Sequence, residues 1–91
     1  DPLLDPFARK YSGKLEELRT ACEQAGGTKL DTGDVGYEFE AFPQVHLRLI
    51  FWDEEEDFPA QAQILVDRCV TDFIHYETIG CLIADLLDRL D

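Results

Sequence analysis

The chain is 91 residues long, 45% of its residues are hydrophobic, and its formal net charge is −12. A chain of this length is expected to form a single small domain, because only considerably longer chains divide. The negative charge repels phosphate backbones and anionic lipid, which argues against nucleic-acid and membrane-surface partners and favours a basic protein partner.

The first predicted element is one helix from Pro6 to Ala25. Its apolar side chains recur every three or four residues along a single stripe. The members of that stripe are Phe7, Tyr11, Leu15, Leu18, Cys22 and Ala25. Asp5 is the expected N-cap, Gly13 is an unfavourable residue inside the helix, and Gly26–Gly27 are expected to end it.

Three strands are predicted after a turn-rich connector at residues 28–34. The first, residues 35–42, alternates apolar with acidic side chains, and the second, residues 45–52, is expected to pair with it as a hairpin. The second strand is apolar on both faces at Ile50 and Trp52, so we expect its far end to be covered on both sides. The third is predicted at residues 61–67, where a helix is the alternative because Ala and Gln favour helices.

The last predicted element is a helix that begins near Glu77 and tolerates Gly80 in its interior. Residues 68–75 are ambiguous. The order of elements, with three strands between two helices, predicts an α+β fold: an antiparallel three-stranded sheet flanked by an N-terminal and a C-terminal helix, with the helices on one face.

The three cysteines, Cys22, Cys69 and Cys81, form no CxxC pair and cannot all form disulfides with one another. An odd number of cysteines without a secretory leader predicts a reducing, cytoplasmic location. Cys22 and Cys81 lie on apolar helical stripes and are expected to resist modification, whereas Cys69 is expected to react. No apolar run reaches the roughly 18 residues of a membrane span.

The candidate docking or ligand-binding residues follow one another at the end of the second predicted strand. They are Trp52, Asp53, Glu54, Glu55, Glu56, Asp57 and Phe58. The five acids would form a solvated turn, a docking patch for a protein, or a site for a hard cation. The two aromatic residues would line a pocket with Phe51 or pack in the core, and we expect a core role for Trp52.

A second set of residues gives weaker hypotheses for a metal site and for catalysis. Asp67, Asp72, His75 and Glu77 are possible metal ligands, but such a site needs three or four of them to converge. The pair Cys69 and His75 is the only conceivable nucleophile with a base. We therefore assign no catalytic residue and no cofactor to this segment.

Several short motifs along the chain resemble domain of unknown function 3786, a family of uncharacterised proteins from anaerobic bacteria and archaea. The resemblance covers about Phe7 to Leu90. It rests on Gly33-Asp34, Phe42-Pro43-Gln44-Val45, Leu49 to Trp52, Glu56-Asp57-Phe58-Pro59, Ile64-Leu65-Val66-Asp67-Arg68 and Tyr76-Glu77. His46 and Val66 depart from the family pattern, which has a proline and an aromatic residue at those positions.

The resemblance implies that this chain corresponds to the C-terminal half of longer family members. It also implies an association with iron–sulfur proteins or corrinoid methyl-transfer systems, although the three cysteines lack cluster-binding spacing. The sequence therefore predicts a non-catalytic accessory domain that binds another protein. A small-molecule or cofactor-binding domain and a carboxylate-rich metalloenzyme fragment are the alternatives. We also predict a homodimer formed through the sheet edge or its open face.

Overall fold

The computed structural model describes residues 2–42, 45–66 and 76–91. The helices in these residues are α1 (Leu4–Tyr11), α2 (Leu15–Gln24) and α3 (Tyr76–Arg89). The strands are β1 (Thr28–Lys29), β2 (Val35–Phe42), β3 (Val45–Trp52) and β4 (Gln61–Val66). They form one antiparallel sheet in the order β1-β2-β3-β4. The α+β class is confirmed, with four strands where three were predicted.

The prediction of one continuous N-terminal helix is wrong, because the chain turns between α1 and α2. Gly13 lies at this corner with a φ angle of 73°, a left-handed conformation that glycine adopts without steric cost. The N-terminal boundary also differs, since Leu3 occupies the N-cap position and Asp5 lies in the first turn of α1. The predicted C-terminus is confirmed: Gly26 has a φ of 86°, and the Gly27 N–H donates to the Cys22 carbonyl at 2.9 Å.

The predicted hairpin between the two long strands is confirmed by the antiparallel register of β2 and β3, which runs from Val35 opposite Phe51 to Glu40 opposite His46. β4 is a strand rather than a helix and pairs along β3 with Ala62 opposite Phe51. The additional strand, β1, contains only two residues and lies within the segment that was predicted to be a connector.

One face of the sheet, the inner face, packs against all three helices. The buried residues of this core are Phe7, Ala8, Tyr11, Leu18, Cys22, Val35, Tyr37, Phe39, Val45, Leu47, Leu49, Phe51, Leu86 and Leu90. Burial raises the pKa of the Cys22 thiol to about 12, so the expected protection of this residue agrees with its position. The matching expectation for Cys81 is wrong, because its side chain is exposed on α3. Cys69 lies outside the described residues.

The opposite, outer face of the sheet is covered only in part. Ile50 points to this face and is 2% exposed, because the loop between β1 and β2 folds over it. Gly33 of that loop lies so close that a Cβ atom there would be 2.8 Å from the Ile50 Cγ2 atom. None of the described helices is long and apolar enough to cross a membrane.

Candidate functional site

The acidic run forms the turn between β3 and β4. Glu55 and Phe58 exchange two backbone hydrogen bonds, of 2.9 Å from the Glu55 N–H and 3.1 Å from the Phe58 N–H. Glu56 and Asp57 are therefore the two central residues of a tight turn. We call residues 53–58 the acidic turn, and Trp52 lies at its base as the last residue of β3.

Asp53 is the one acid of the turn whose carboxylate accepts hydrogen bonds from the described part of the chain. Its Oδ1 atom accepts hydrogen bonds from the Gly13 N–H and from the Glu54 N–H, both at 2.8 Å. Its own N–H donates to the Asp34 Oδ2 atom at 2.7 Å. Asp53 therefore attaches the corner between α1 and α2 to the end of β3, although no local pattern distinguishes it from the other acids.

Asp34, in the loop between β1 and β2, takes part in the same network of hydrogen bonds. Its N–H donates to the Phe51 carbonyl at 2.9 Å, and its own carbonyl accepts from the Arg19 Nη2 atom at 3.2 Å. Asp34 and Asp53 are consequently hydrogen-bonding groups that hold three segments together. These contacts join residues that are far apart in the sequence, so local patterns do not predict them. The one local indication of a break in the helix was a glycine, Gly13, inside an otherwise regular helical stripe.

The other four acids, Glu54, Glu55, Glu56 and Asp57, are exposed. Within residues 2–42, 45–66 and 76–91, none of these carboxylates forms an ion pair. Four carboxylates so close together and unneutralised by the described cations give this end of the sheet a strongly negative potential. The structure therefore divides the predicted docking patch into one structural acid and four solvent-facing ones.

Trp52 does not have the core role that its sequence position suggested. It points to the outer face and is 39% exposed, whereas Phe51 points to the inner face and is fully buried. The covering loop reaches Ile50 but leaves Trp52 open. Phe58 is 65% exposed. The three aromatic residues therefore do not line a common pocket, since Phe51 lies on the opposite face of the sheet from Trp52.

A second polar cluster on the outer face was not predicted. The His46 Nδ1 atom lies 3.2 Å from Glu38 Oε2, and its Nε2 atom lies 3.8 Å from Glu40 Oε2. The Arg48 Nε atom donates to Glu38 Oε1 at 2.8 Å. Hydrogen bonds from Arg48 and His46 hold the pKa of the Glu38 carboxyl below its usual range. These are cross-strand polar contacts, one of them the Arg48–Glu38 ion pair, which adjust sheet stability rather than indicate catalysis.

The weaker metal-site and catalytic hypotheses fall largely on residues whose structure is not described. Asp67, Cys69, Asp72 and His75 lie outside the described ranges, and Glu77 lies in α3 without a described side chain. In the described part of the chain, no three His, Cys, Asp or Glu residues are grouped to hold a metal ion. These hypotheses remain predictions.

The described surface carries several shallow depressions. Four of them have volumes of about 250, 370, 400 and 440 Å³. None of these four is lined by Trp52, Phe58 or the acids between them. These four depressions therefore lie away from the position where the sequence suggested a small-molecule site.

Comparison with known proteins identifies the family of the chain. No curated protein and no solved structure matches the chain. A family model matches residues 2–89, which is nearly the whole chain, and its description is Domain of unknown function (DUF3786). The chain therefore belongs to the DUF3786 family.

Proposed function

We propose that this chain is a non-catalytic protein-interaction domain that docks on a basic partner through Trp52 and the acidic turn. The observation that carries the proposal is the position of Trp52, which is 39% exposed at the base of a turn bearing four exposed carboxylates. Tryptophan is enriched among the residues that dominate interface energetics. Exposed here, it would supply the apolar centre of the contact.

The charge of the acidic turn supports a basic partner. Carboxylates around an apolar centre would accelerate encounter with a positively charged surface and suppress acidic competitors. The hydrogen bonds of Asp53 to Gly13, Glu54 and Asp34 fix the base of the turn. A fixed turn loses less conformational entropy on binding than a free loop would.

The resemblance stated for the sequence suggests where such a partner would be found. We expect it among cytoplasmic iron–sulfur or corrinoid methyl-transfer proteins, on a basic surface with an apolar pocket for the indole ring. In this proposal the chain supplies no catalytic group and no cofactor of its own.

Intrinsic fluorescence tests the docking surface directly, because Trp52 is the only tryptophan in the chain. The probe is a synthetic peptide of alternating lysine and leucine, and a glutamate–leucine peptide is its control. The basic peptide should shift the Trp52 emission to shorter wavelength, and this response should weaken as salt is added. A labelled form of the same peptide then measures the loss of affinity in Trp52→Ala.

A matched pair of triple variants separates a local site from general attraction. Glu54→Gln, Glu55→Gln and Glu56→Gln remove three charges from the acidic turn. Glu17→Gln, Asp31→Asn and Asp88→Asn remove three exposed charges elsewhere. Both sets change the net charge from −12 to −12 + 3 = −9. Only the first set should weaken binding strongly. The proposal would be contradicted if both sets weakened peptide binding equally, or if the Trp52 emission did not change when the basic peptide was added.

A further inference from the structure

The outer edge of β4 differs from the rest of the molecule in its chemistry. β4 has the sequence QAQILV and contains no charge, although 31% of the chain is charged. It is the terminal strand of the sheet formed by residues 2–42, 45–66 and 76–91, so alternate residues direct backbone N–H and C=O groups away from β3. Proteins usually guard such an edge with lysine, proline or inward-pointing charges. Gln61–Val66 contain none of these.

We infer that β4 is the contact strand of a homodimer, pairing antiparallel with β4 of a second copy about a two-fold axis at Gln63. In an antiparallel pair, directly opposite residues share a face of the sheet. Centring the axis on Gln63 places Gln63 opposite its own copy, Gln61 opposite Leu65 and Ala62 opposite Ile64. The four described strands of each copy would then form one continuous sheet of eight.

The outer side of this pairing is chemically complementary to itself. Gln63 is exposed, and its amide carries both a donor and an acceptor, so it can hydrogen-bond to an identical residue. A lysine or glutamate at the same position would instead face a like charge. Leu65 is 44% exposed and would be partly covered by Gln61 of the second copy.

The inner side of the pairing would join the two hydrophobic cores. Ala62 and Ile64 are only half buried where the sheet ends at β4, and on β3 they lie opposite Phe51 and Leu49. In the dimer an apolar row would run from Phe51 through Ala62 to Ile64 and Leu49 of the second copy. Burial of this apolar row would add a hydrophobic contribution to the free energy of dimerisation, beyond the small net contribution of the backbone hydrogen bonds between the two edges.

The contact strand is independent of the docking surface, and the two respond oppositely to salt. Two copies of charge −12 repel each other, while the strands that meet are neutral. Added salt should therefore strengthen the dimer, whereas it should weaken docking on a basic partner. In this register only five residues of β4 on each side, Gln61 to Leu65, pair with each other, which makes a small interface, so we expect a reversible equilibrium in the micromolar to millimolar range.

Sedimentation equilibrium over that concentration range measures the mass directly. The expected result is a shift from 10.4 kDa toward 2 × 10.4 = 20.8 kDa, favoured by salt. Gln63→Lys should abolish the shift by placing two lysines opposite each other at the axis. Gln24→Lys, an exposed change on α2, also takes the net charge to −12 + 1 = −11 and should leave the dimer intact. Circular dichroism and thermal melting confirm that both variants are folded.

Cysteine cross-linking then tests the register. In a background of Cys69→Ser and Cys81→Ser, mild oxidation should couple two chains through Gln63→Cys and leave Gln24→Cys uncoupled. Several results would overturn the inference: a monomer at every concentration, a dimer weakened by salt, a dimer that survives Gln63→Lys, or equal cross-linking at both positions.

Discussion

The two faces of the sheet differ most at the end of β3, where neighbouring residues have opposite environments. Phe51 is fully buried and Trp52 is 39% exposed. The alternation of the strand determines which face each side chain occupies, but what packs on that face determines its burial. Three helices cover the inner face, whereas on the outer face the loop that covers Ile50 leaves Trp52 open. Apolar character on both sides of a strand is therefore insufficient to place a residue in a core.

The largest expected effect comes from exchanging each of these two neighbours for alanine. Phe51→Ala should reduce the free energy of unfolding by about 3–5 kcal/mol, because it empties a fully buried aromatic site. Trp52→Ala should cost only about 1 kcal/mol, the usual size for a residue that is not fully packed. Urea denaturation followed by circular dichroism measures both. Equal losses would show that the outer face is as well covered as the inner one.

Gly33 tests how closely the loop covers the outer face. Gly33→Ala should cost about 1–3 kcal/mol, because its φ is 72° and the new Cβ would lie 2.8 Å from Ile50 Cγ2 and 2.9 Å from the Phe51 carbonyl oxygen. Gly26→Ala is the matched control, since its φ of 86° is also left-handed but no atom lies within 4 Å of a Cβ there. Thermal melting should show the larger loss at Gly33, and the reverse order would mean that the loop does not press on Ile50.

The acidic turn allows a similar comparison between Asp53 and Asp57. Asp53→Ala should cost about 0.5–1.5 kcal/mol, the usual net contribution of a hydrogen bond, because the Gly13 N–H loses its acceptor in an exposed contact, whereas Asp53→Asn retains an acceptor oxygen and should cost less. Asp57→Ala changes an exposed residue at the tip and should alter stability by less than about 0.5 kcal/mol. Chemical denaturation of the three variants at one salt concentration distinguishes them. A large loss of stability in Asp57→Ala would contradict the division of the turn into structural and solvent-facing acids.

The smallest expected effect concerns Glu38 on the outer face. Its pKa is lowered by Arg48 and His46, so its contribution to stability is present above the unfolded-state pKa of about 4.3. That contribution is lost as the pH falls through the lower folded-state value. The melting temperature of Glu38→Gln should therefore lie below that of the parent chain at neutral pH and converge with it in acid. Glu54→Gln, without an ion-pair partner among the described residues, should show no such convergence.

Local patterns predicted the parts of the fold that depend on neighbouring residues. The alternation of Val35, Tyr37 and Phe39 correctly indicated a strand with one buried face, and Gly26 correctly indicated the end of the helical region. The failures involve distant partners. Gly13 breaks the predicted helix at a corner that Asp53 holds from forty residues away, and the exposure of Trp52 depends on where the Gly33 loop ends. The two-residue strand β1 is too short to have a periodic signal.

The contact between Gly13 and Asp53 also has a consequence for the order of folding. The four strands pair in sequence order, so each hairpin closes a short loop, whereas this hydrogen bond joins residues 40 positions apart. Closing the longer loop costs more entropy, and local contacts generally form first. The helical corner would then dock after the transition state. Asp53→Ala should in that case accelerate unfolding and leave the refolding rate nearly unchanged.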